Sequence, residues 1–225
     1  MKKRIYRLFL LMLICKFSFA QQQVKVMSYN IRLDVESDGE NRWDARKDKV
    51  AALMNYYEAD FIGGQEVQHH QLQYLISQLK NYAYIGVGRD DGKEAGEYSC
   101  IFYKKEKYTL LKQGTFWLSP TPDTPSKGWD AALNRICTYG LFKNQQTKQQ
   151  YWVFNTHFDH IGDTARFESA RLILQMIAKL NYKKEYPVIL TGDFNSRPED
   201  APAQLIMNRM QNCRTVSQLV YGNAD

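Results

Sequence analysis

Apolar residues recur along the chain in two rhythms. From Val24 to Leu33 the period is two: Val24 and Val26 alternate with polar neighbours, and Met27 and Tyr29 follow, which predicts a strand. From Ala45 to Glu58 the spacing becomes helical. Val50, Leu53, Met54 and Tyr57 share one face there, and Asp44 is placed to cap the start. The same pair of rhythms then repeats. Asp60–Val67 reads as a short strand, His70–Leu79 as a helix with the stripe Leu72, Leu75, Ile76 and Leu79, and Tyr82–Val87 as a third strand.

The middle of the chain is richer in strand pattern. Tyr98–Tyr103, Tyr108–Leu118, Asn134–Lys143 and Gln150–Thr156 are strand candidates joined by turn-like segments. Helical spacing returns at Phe167–Leu180, where Phe167, Ala170, Ile173, Leu174, Ile177 and Leu180 share a face. Pro187–Thr191 has the continuous apolar character of a buried strand. Pro198–Met210 reads as a further helix, with Pro198 suited to its first turn. No repeat, low-complexity tract or linker interrupts this order, so one domain over residues 21–225 is expected. Strands occur both in runs and alternating with helices. That suits an α+β fold of two sheets packed face to face with helices outside, and spacing alone leaves a three-layer α/β fold open.

The first twenty residues stand apart. Lys2, Lys3, Arg4 and Arg7 form a basic front, Leu8 to Cys15 is a short apolar core, and Ser18-Phe19-Ala20 places small residues where signal peptidase reads. A cleaved signal peptide over 1–20 is therefore expected, with export to the periplasm or the exterior. Ile14 before Cys15 is too bulky for a lipoprotein signal. Removing this segment changes the charge. Of the chain's +6, Lys2, Lys3, Arg4, Arg7 and Lys16 carry +5, which leaves +1 on the mature part. A long nucleic-acid track, which needs a basic face, is not favoured, although nucleic acid stays open as a substrate. No later apolar run is long enough for a transmembrane helix. Cys100, Cys137 and Cys213 are an odd set without CxxC spacing, which argues against a disulfide framework; Cys100, in the strand-like run Tyr98–Tyr103, suits core packing.

Five polar clusters carry the candidate chemistry: Ser28–Arg32, Gly64–Val67, Gly88–Gly92, Asn155–His160 and Thr191–Ser196. Four of them close apolar strands, a common position for site residues. Gly88–Gly92 reads as an exposed loop. Glu66 with Asn30 offers the oxygen donors that a hard cation takes, and Mg²⁺ or Mn²⁺ suits one or two carboxylates completed by water and phosphate. Asp193 can orient or deprotonate a water, Asn195 can hold the water or a phosphoryl oxygen, and His157 can donate to phosphate. His157, Asp159 and His160 also offer the nitrogen and oxygen donors of a zinc site, although His157 and His160 point to opposite faces of an extended segment.

Taken in order, Ser28-Tyr29-Asn30-Ile31, Gln65-Glu66, Asn155-Thr156-His157 and Gly192-Asp193-Phe194-Asn195 resemble the endonuclease/exonuclease/phosphatase superfamily, which includes deoxyribonuclease I. The resemblance implies a four-layer αββα sandwich and metal-dependent hydrolysis of phosphate esters. It implies Asn30 and Glu66 at the metal, His157 on phosphate, and Asp193 with Asn195 on the attacking water. Arg89, Glu97 and Arg135, together with Trp129-Asp130, are similar to an exported bacterial branch, which implies that Arg89, Glu97 and Arg135 lie near the substrate. The family closes with an Asp-His pair after an Ile-Asp-Tyr-like segment. Neither occurs before Asp225, so the sandwich is expected to be incomplete at the C-terminus. Two further readings are a catalytically inactive phosphate-binding module of the same fold and a zinc-dependent hydrolase. No obligate protein partner is implied.

Overall fold

The computed structural model describes residues 23–218, so the segment expected to be a signal peptide lies outside the described residues. Its strands form two four-stranded sheets. The first contains β1 (Val26–Asn30), β2 (Phe61–Gln65), β3 (Tyr82–Ile85) and β4 (Ile101–Lys104), in the order β1-β2-β4-β3. β1 and β2 run parallel, and β4 runs antiparallel to both β2 and β3. The second contains β5 (Tyr108–Trp117), β6 (Ile136–Asn144), β7 (Gln150–His157) and β8 (Val188–Asp193), in chain order. Its last pair, β7 and β8, is parallel and is linked by α3 (Asp163–Asn181).

Period-two alternation sorts the side chains into layers. Phe61, Ile85 and Ile101 of the first sheet meet Tyr108, Phe142 and Val153 of the second, so this apolar layer fills the space between the sheets. Phe61 is central to it, with ring centroids 4.5 Å from Tyr108 and 5.0 Å from Phe142. The neighbouring residues point outward. Ile62 and Phe102 pack under α1 (Trp43–Tyr57) and α2 (His69–Gln78) through Val50, Met54, Leu72 and Leu75. Trp152 and Phe154 pack under α3 through Ala170 and Ile173, with α4 (Ala201–Met207) beside it. Each such side chain contributes about 1.5–3 kcal/mol on burial. The result is the four-layer αββα sandwich.

Most boundaries move inward from the sequence expectation, for local reasons. β1 ends at Asn30 because the chain turns at Arg32, where φ is 63°. Asp44 does not cap α1; it pairs with Lys47 at 2.7 Å, and Arg42 is the capping residue. The α4 turn is set by Pro202, and the loop before it, containing Pro198, is closed by Arg197 N–H to Asp200 at 2.7 Å. α3 starts earlier than its apolar stripe. Asp130, remote in sequence, accepts from the N–H groups of Thr164 and Ala165 and so caps it. Cys100 and Cys137 are buried, and burial pushes the Cys100 thiol up to about 12.

Candidate active site

The parallel pairs β1–β2 and β7–β8 deliver their C-terminal ends to the same place, with Asn30 opposite Gln65 and His157 opposite Asp193. Polar residues two apart on these strands then share a face. The deeper members lock the two sheets together. Asn155, fully buried, accepts from Gln65 Nε2 at 2.7 Å and from Thr191 Oγ1 at 3.0 Å. Its own amide donates to the carbonyls of Gly64 and Cys100, both at 2.9 Å. Ser28 Oγ accepts from Gly192 N–H at 3.1 Å, which ties β1 to β8. The sheets come so close here that a Cβ on Gly63 would lie 2.2 Å from Thr191 Oγ1.

The outer members converge above this floor. Asn30 Nδ2 donates to Glu66 Oε1 at 2.8 Å and to Asp193 Oδ2 at 3.0 Å, so one amide stands between two carboxylates. Asn30 Oδ1 accepts from Arg32 N–H at 2.9 Å, and Glu66 Oε2 accepts from Leu33 N–H at 3.0 Å. Asp193 Oδ1 accepts from Asn195 N–H at 3.0 Å. Asn195 Nδ2 lies 3.1 Å from His157 Nε2 and donates to Phe158 O at 2.9 Å. Glu66 and Asn195 both hold left-handed backbone, with φ of 60° and 43°, a conformation that costs of order 1–3 kcal/mol for a non-glycine residue. Asn30, Asp193 and Asn195 line an open cleft of ≈ 670 Å³.

His157 is only 8% exposed. Burial, reinforced by Arg135, lowers its pKa to about 4, so the ring is neutral at neutral pH. With Asn195 donating to Nε2, the proton sits on Nδ1, which faces Glu97 Oε2 at 3.9 Å. Glu97 holds Arg89 by two bonds of 2.9 and 2.8 Å. Burial raises the Glu97 pKa, against the pull of Arg89. Arg89 is buried, which corrects the expectation of a wholly exposed loop; only Asp90 and Asp91 at its tip are exposed. Arg135 is buried too. It donates to Asp159 Oδ2 at 3.2 Å and its Nη2 lies 2.9 Å from His160 Nδ1. Burial would raise Asp159, but the N–H groups of Gly162 and Ile161 outweigh it and hold the carboxyl well below the ordinary range.

The donor set at Glu66 and Asp193 is all oxygen and converges on one point. It matches a hard divalent ion that takes one or two carboxylates and completes its shell with water and phosphate. Glu66 and, after rotation of its amide, Asn30 would hold such an ion, with Asp193 beside it. The zinc-type trio does not gather: His157 faces Asn195, Asp159 faces Arg135, and His160 faces Arg135 from another side. Among the described residues no three His, Cys, Asp or Glu side chains form one metal-holding group.

The structure therefore brings Asn30, Glu66, His157, Asp193 and Asn195 together and places Glu97 and Arg89 directly behind His157. Arg135 is bound to Asp159 and lies against His160 instead. Ser28, Gln65, Asn155 and Thr191, which position these groups, had no assigned role in the sequence. Their signal was available: each of Ser28, Asn155 and Thr191 sits two places before a candidate residue on an apolar strand.

The model of the Endonuclease/Exonuclease/phosphatase family matches residues 27–223. The chain belongs to the endonuclease/exonuclease/phosphatase family. This family member is 44% identical to a mannosyl-6-phosphatase of Bacteroides thetaiotaomicron VPI-5482, with a TM-score of 0.81 over 83% of this chain and 71% of that one. A family protein of Bacteroides vulgatus is 42% identical, with a TM-score of 0.79 over the same shares. Protein L388 of Acanthamoeba polyphaga mimivirus, uncharacterized, is 29% identical over 162 residues, which cover 69% of this chain and 60% of that protein. The chain thus spans less than two thirds of that curated relative's length. Phosphate-ester hydrolysis is the activity the family carries.

Proposed function

We propose that the protein hydrolyses a phosphate ester by direct attack of water on phosphorus, with Mg²⁺ or Mn²⁺ held by Glu66 and Asn30 beside Asp193. The observation that carries this reading is the single amide of Asn30 standing between the carboxylates of Glu66 and Asp193, beside the His157–Asn195 pair. A bound divalent ion supplies charge that offsets the phosphate and the leaving oxygen. Asp193 orients the water and takes its proton as the new P–O bond forms. The bond to the alcohol oxygen breaks, the leaving oxygen takes a proton from solvent water, and Asp193 returns its own proton to solvent. Asn195 fixes Asp193 through its N–H and holds His157 through its side-chain amide, at the edge of the same cleft. His157 is neutral, with Nε2 held by Asn195 and the Nδ1 proton turned to Glu97, so it positions Asn195 and adds no charge to the centre. The kinship with a mannosyl-6-phosphatase supports a phosphate ester as substrate.

The test is phosphate or alcohol release from a panel of monoesters and diesters with Mg²⁺ and with chelator. Metal-dependent turnover of at least one ester is expected. No turnover of any ester at saturating Mg²⁺ or Mn²⁺ contradicts the proposal. Export through the basic and apolar N-terminus is proposed with it.

A further inference from the structure

The two ends of the sandwich carry opposite charge. The strands of both sheets run between the same two ends: Asn30 binds Asp193 across the sheets at one, and Lys107 binds Asp60 at the other. Each connection therefore belongs to one end. The cleft end is built from segments 31–42, 66–68, 86–100, 118–135, 158–162 and 193–200. They hold fifteen carboxylates against seven arginines and lysines, a balance of −8. The far end is built from segments 23–26, 58–61, 79–82, 103–108, 143–150 and 182–188. They hold nine lysines, no arginine and four carboxylates, a balance of +5. The +1 of the mature part thus conceals two ends of opposite sign. The basic end lies opposite the cleft, so it offers a nucleic-acid strand no track to the centre.

The lysines of the far end are not neutralised by neighbours. Among the described residues only Lys107 forms an ion pair there, with Asp60 at 2.7 Å. Lys25, Lys80, Lys105, Lys148, Lys183 and Lys184 are exposed. Their loops are tied into one surface. Lys25 N–H donates to Asp60 at 3.0 Å, Lys105 N–H to Asn81 O at 3.2 Å, and Gln145 N–H to Lys107 O at 2.9 Å. A small cleft of ≈ 330 Å³ opens there, but Glu58 and Glu106 line it beside Lys104 and Lys107, so it is no pocket for a single anion. Aromatic rings accompany the charge. Tyr56 and Tyr57, at the end of α1, are 80% and 54% exposed, and Tyr182, after α3, is 72% exposed with Lys183 over its ring. Amphipathic rings beside lysines suit the headgroup layer of a membrane. A nucleic-acid strand is served less well, because lysine lacks the bidentate fork of arginine. The chain also enters at this end: residue 23 leads into β1 there, directly after the segment with the basic front and the apolar run.

We propose that the lysine-rich end docks on a bilayer surface that carries anionic lipid headgroups. The lysines are drawn to that surface and the acidic end is repelled by it, so docking turns the cleft away from the bilayer and toward solution. A docked molecule then acts on esters dissolved beside the membrane.

Co-sedimentation with vesicles tests this, in chelator so that no lipid is hydrolysed. Residues 1–20 are removed so that their apolar run cannot insert, and the fold described over residues 23–218 is kept whole. Vesicles with about 30% phosphatidylglycerol should bind the protein about tenfold more tightly than phosphatidylcholine alone, and binding should be lost in about 0.5 M NaCl. Lys80→Glu with Lys105→Glu, both at exposed positions of the far end, should weaken binding about tenfold at an unchanged melting temperature. Lys93→Glu with Lys127→Glu changes the net charge equally at the cleft end and should not weaken it. Equal affinity for the two kinds of vesicle, binding that persists in high salt, or equal weakening by the two pairs of substitutions overturns the proposal. So does tighter binding to duplex DNA than to the anionic vesicles at the same salt, which makes the basic end a polyanion site. No turnover is read, so the outcome stands apart from the phosphoesterase reading.

Discussion

Acidification should destabilise the protein through one imidazole. His157 is 8% exposed, and burial together with Arg135 takes its pKa from 6.5 to about 4 in the folded state. In the unfolded chain the ring titrates at its ordinary value. Between the two values the unfolded chain binds a proton that the folded protein refuses. Stability therefore falls as pH drops from 6.5 towards about 4, and this contribution stops changing below that. A shift of this size corresponds to about 3 kcal/mol, a large part of a typical domain stability of about 5–15 kcal/mol. Other groups act in the same direction at lower pH. Asp34, held at about 2 by Arg42, loses its contribution there. The comparison must therefore be between two proteins. Urea unfolding across this pH window is measured for the wild type and for His157→Gln, which keeps a neutral polar side chain. The wild type should lose about 3 kcal/mol more than the variant over the window. Parallel pH profiles would refute the assignment of a buried, neutral His157.

Three further outcomes follow from the same geometry. Glu66→Gln keeps the shape of the side chain and removes its charge, so the Mg²⁺ concentration for half-maximal turnover should rise at least tenfold; an unchanged titration removes Glu66 from the metal site. Gly63→Ala forces a methyl group to within 2.2 Å of Thr191 Oγ1, so denaturant unfolding should show a loss of about 1–3 kcal/mol, and an unchanged midpoint contradicts the close approach of the sheets. N-terminal sequencing of the protein from its native host should begin at Gln21, and recovery of intact Met1 speaks against a cleaved signal.

Strand and helix patterns were legible wherever the apolar face is continuous. Ile62, Phe102, Trp152 and Ile173 each announce their layer by period alone. What escaped was set by partners distant in sequence. The early start of α3 depends on Asp130, more than thirty residues away, and the burial of Arg89 depends on Glu97 and Trp117. In the site, the residues that close strands were readable because polar groups after apolar runs are unusual. Their supports were harder to see. Asn155 looks like an ordinary polar strand residue until the first sheet is in place, since its partners Gln65 and Gly64 lie about ninety residues earlier in the chain. The neutrality of His157 was likewise hidden, because it arises from burial and from Arg135.

The most direct test of water attack at this centre is hydrolysis in ¹⁸O-labelled water, followed by mass analysis of the products. The label is expected in the released phosphate and not in the alcohol, with the rate of labelled phosphate formation about 10²-fold lower or less in Asp193→Asn, as for loss of a general base. Label in the alcohol, or an undiminished rate in Asp193→Asn, would contradict the account.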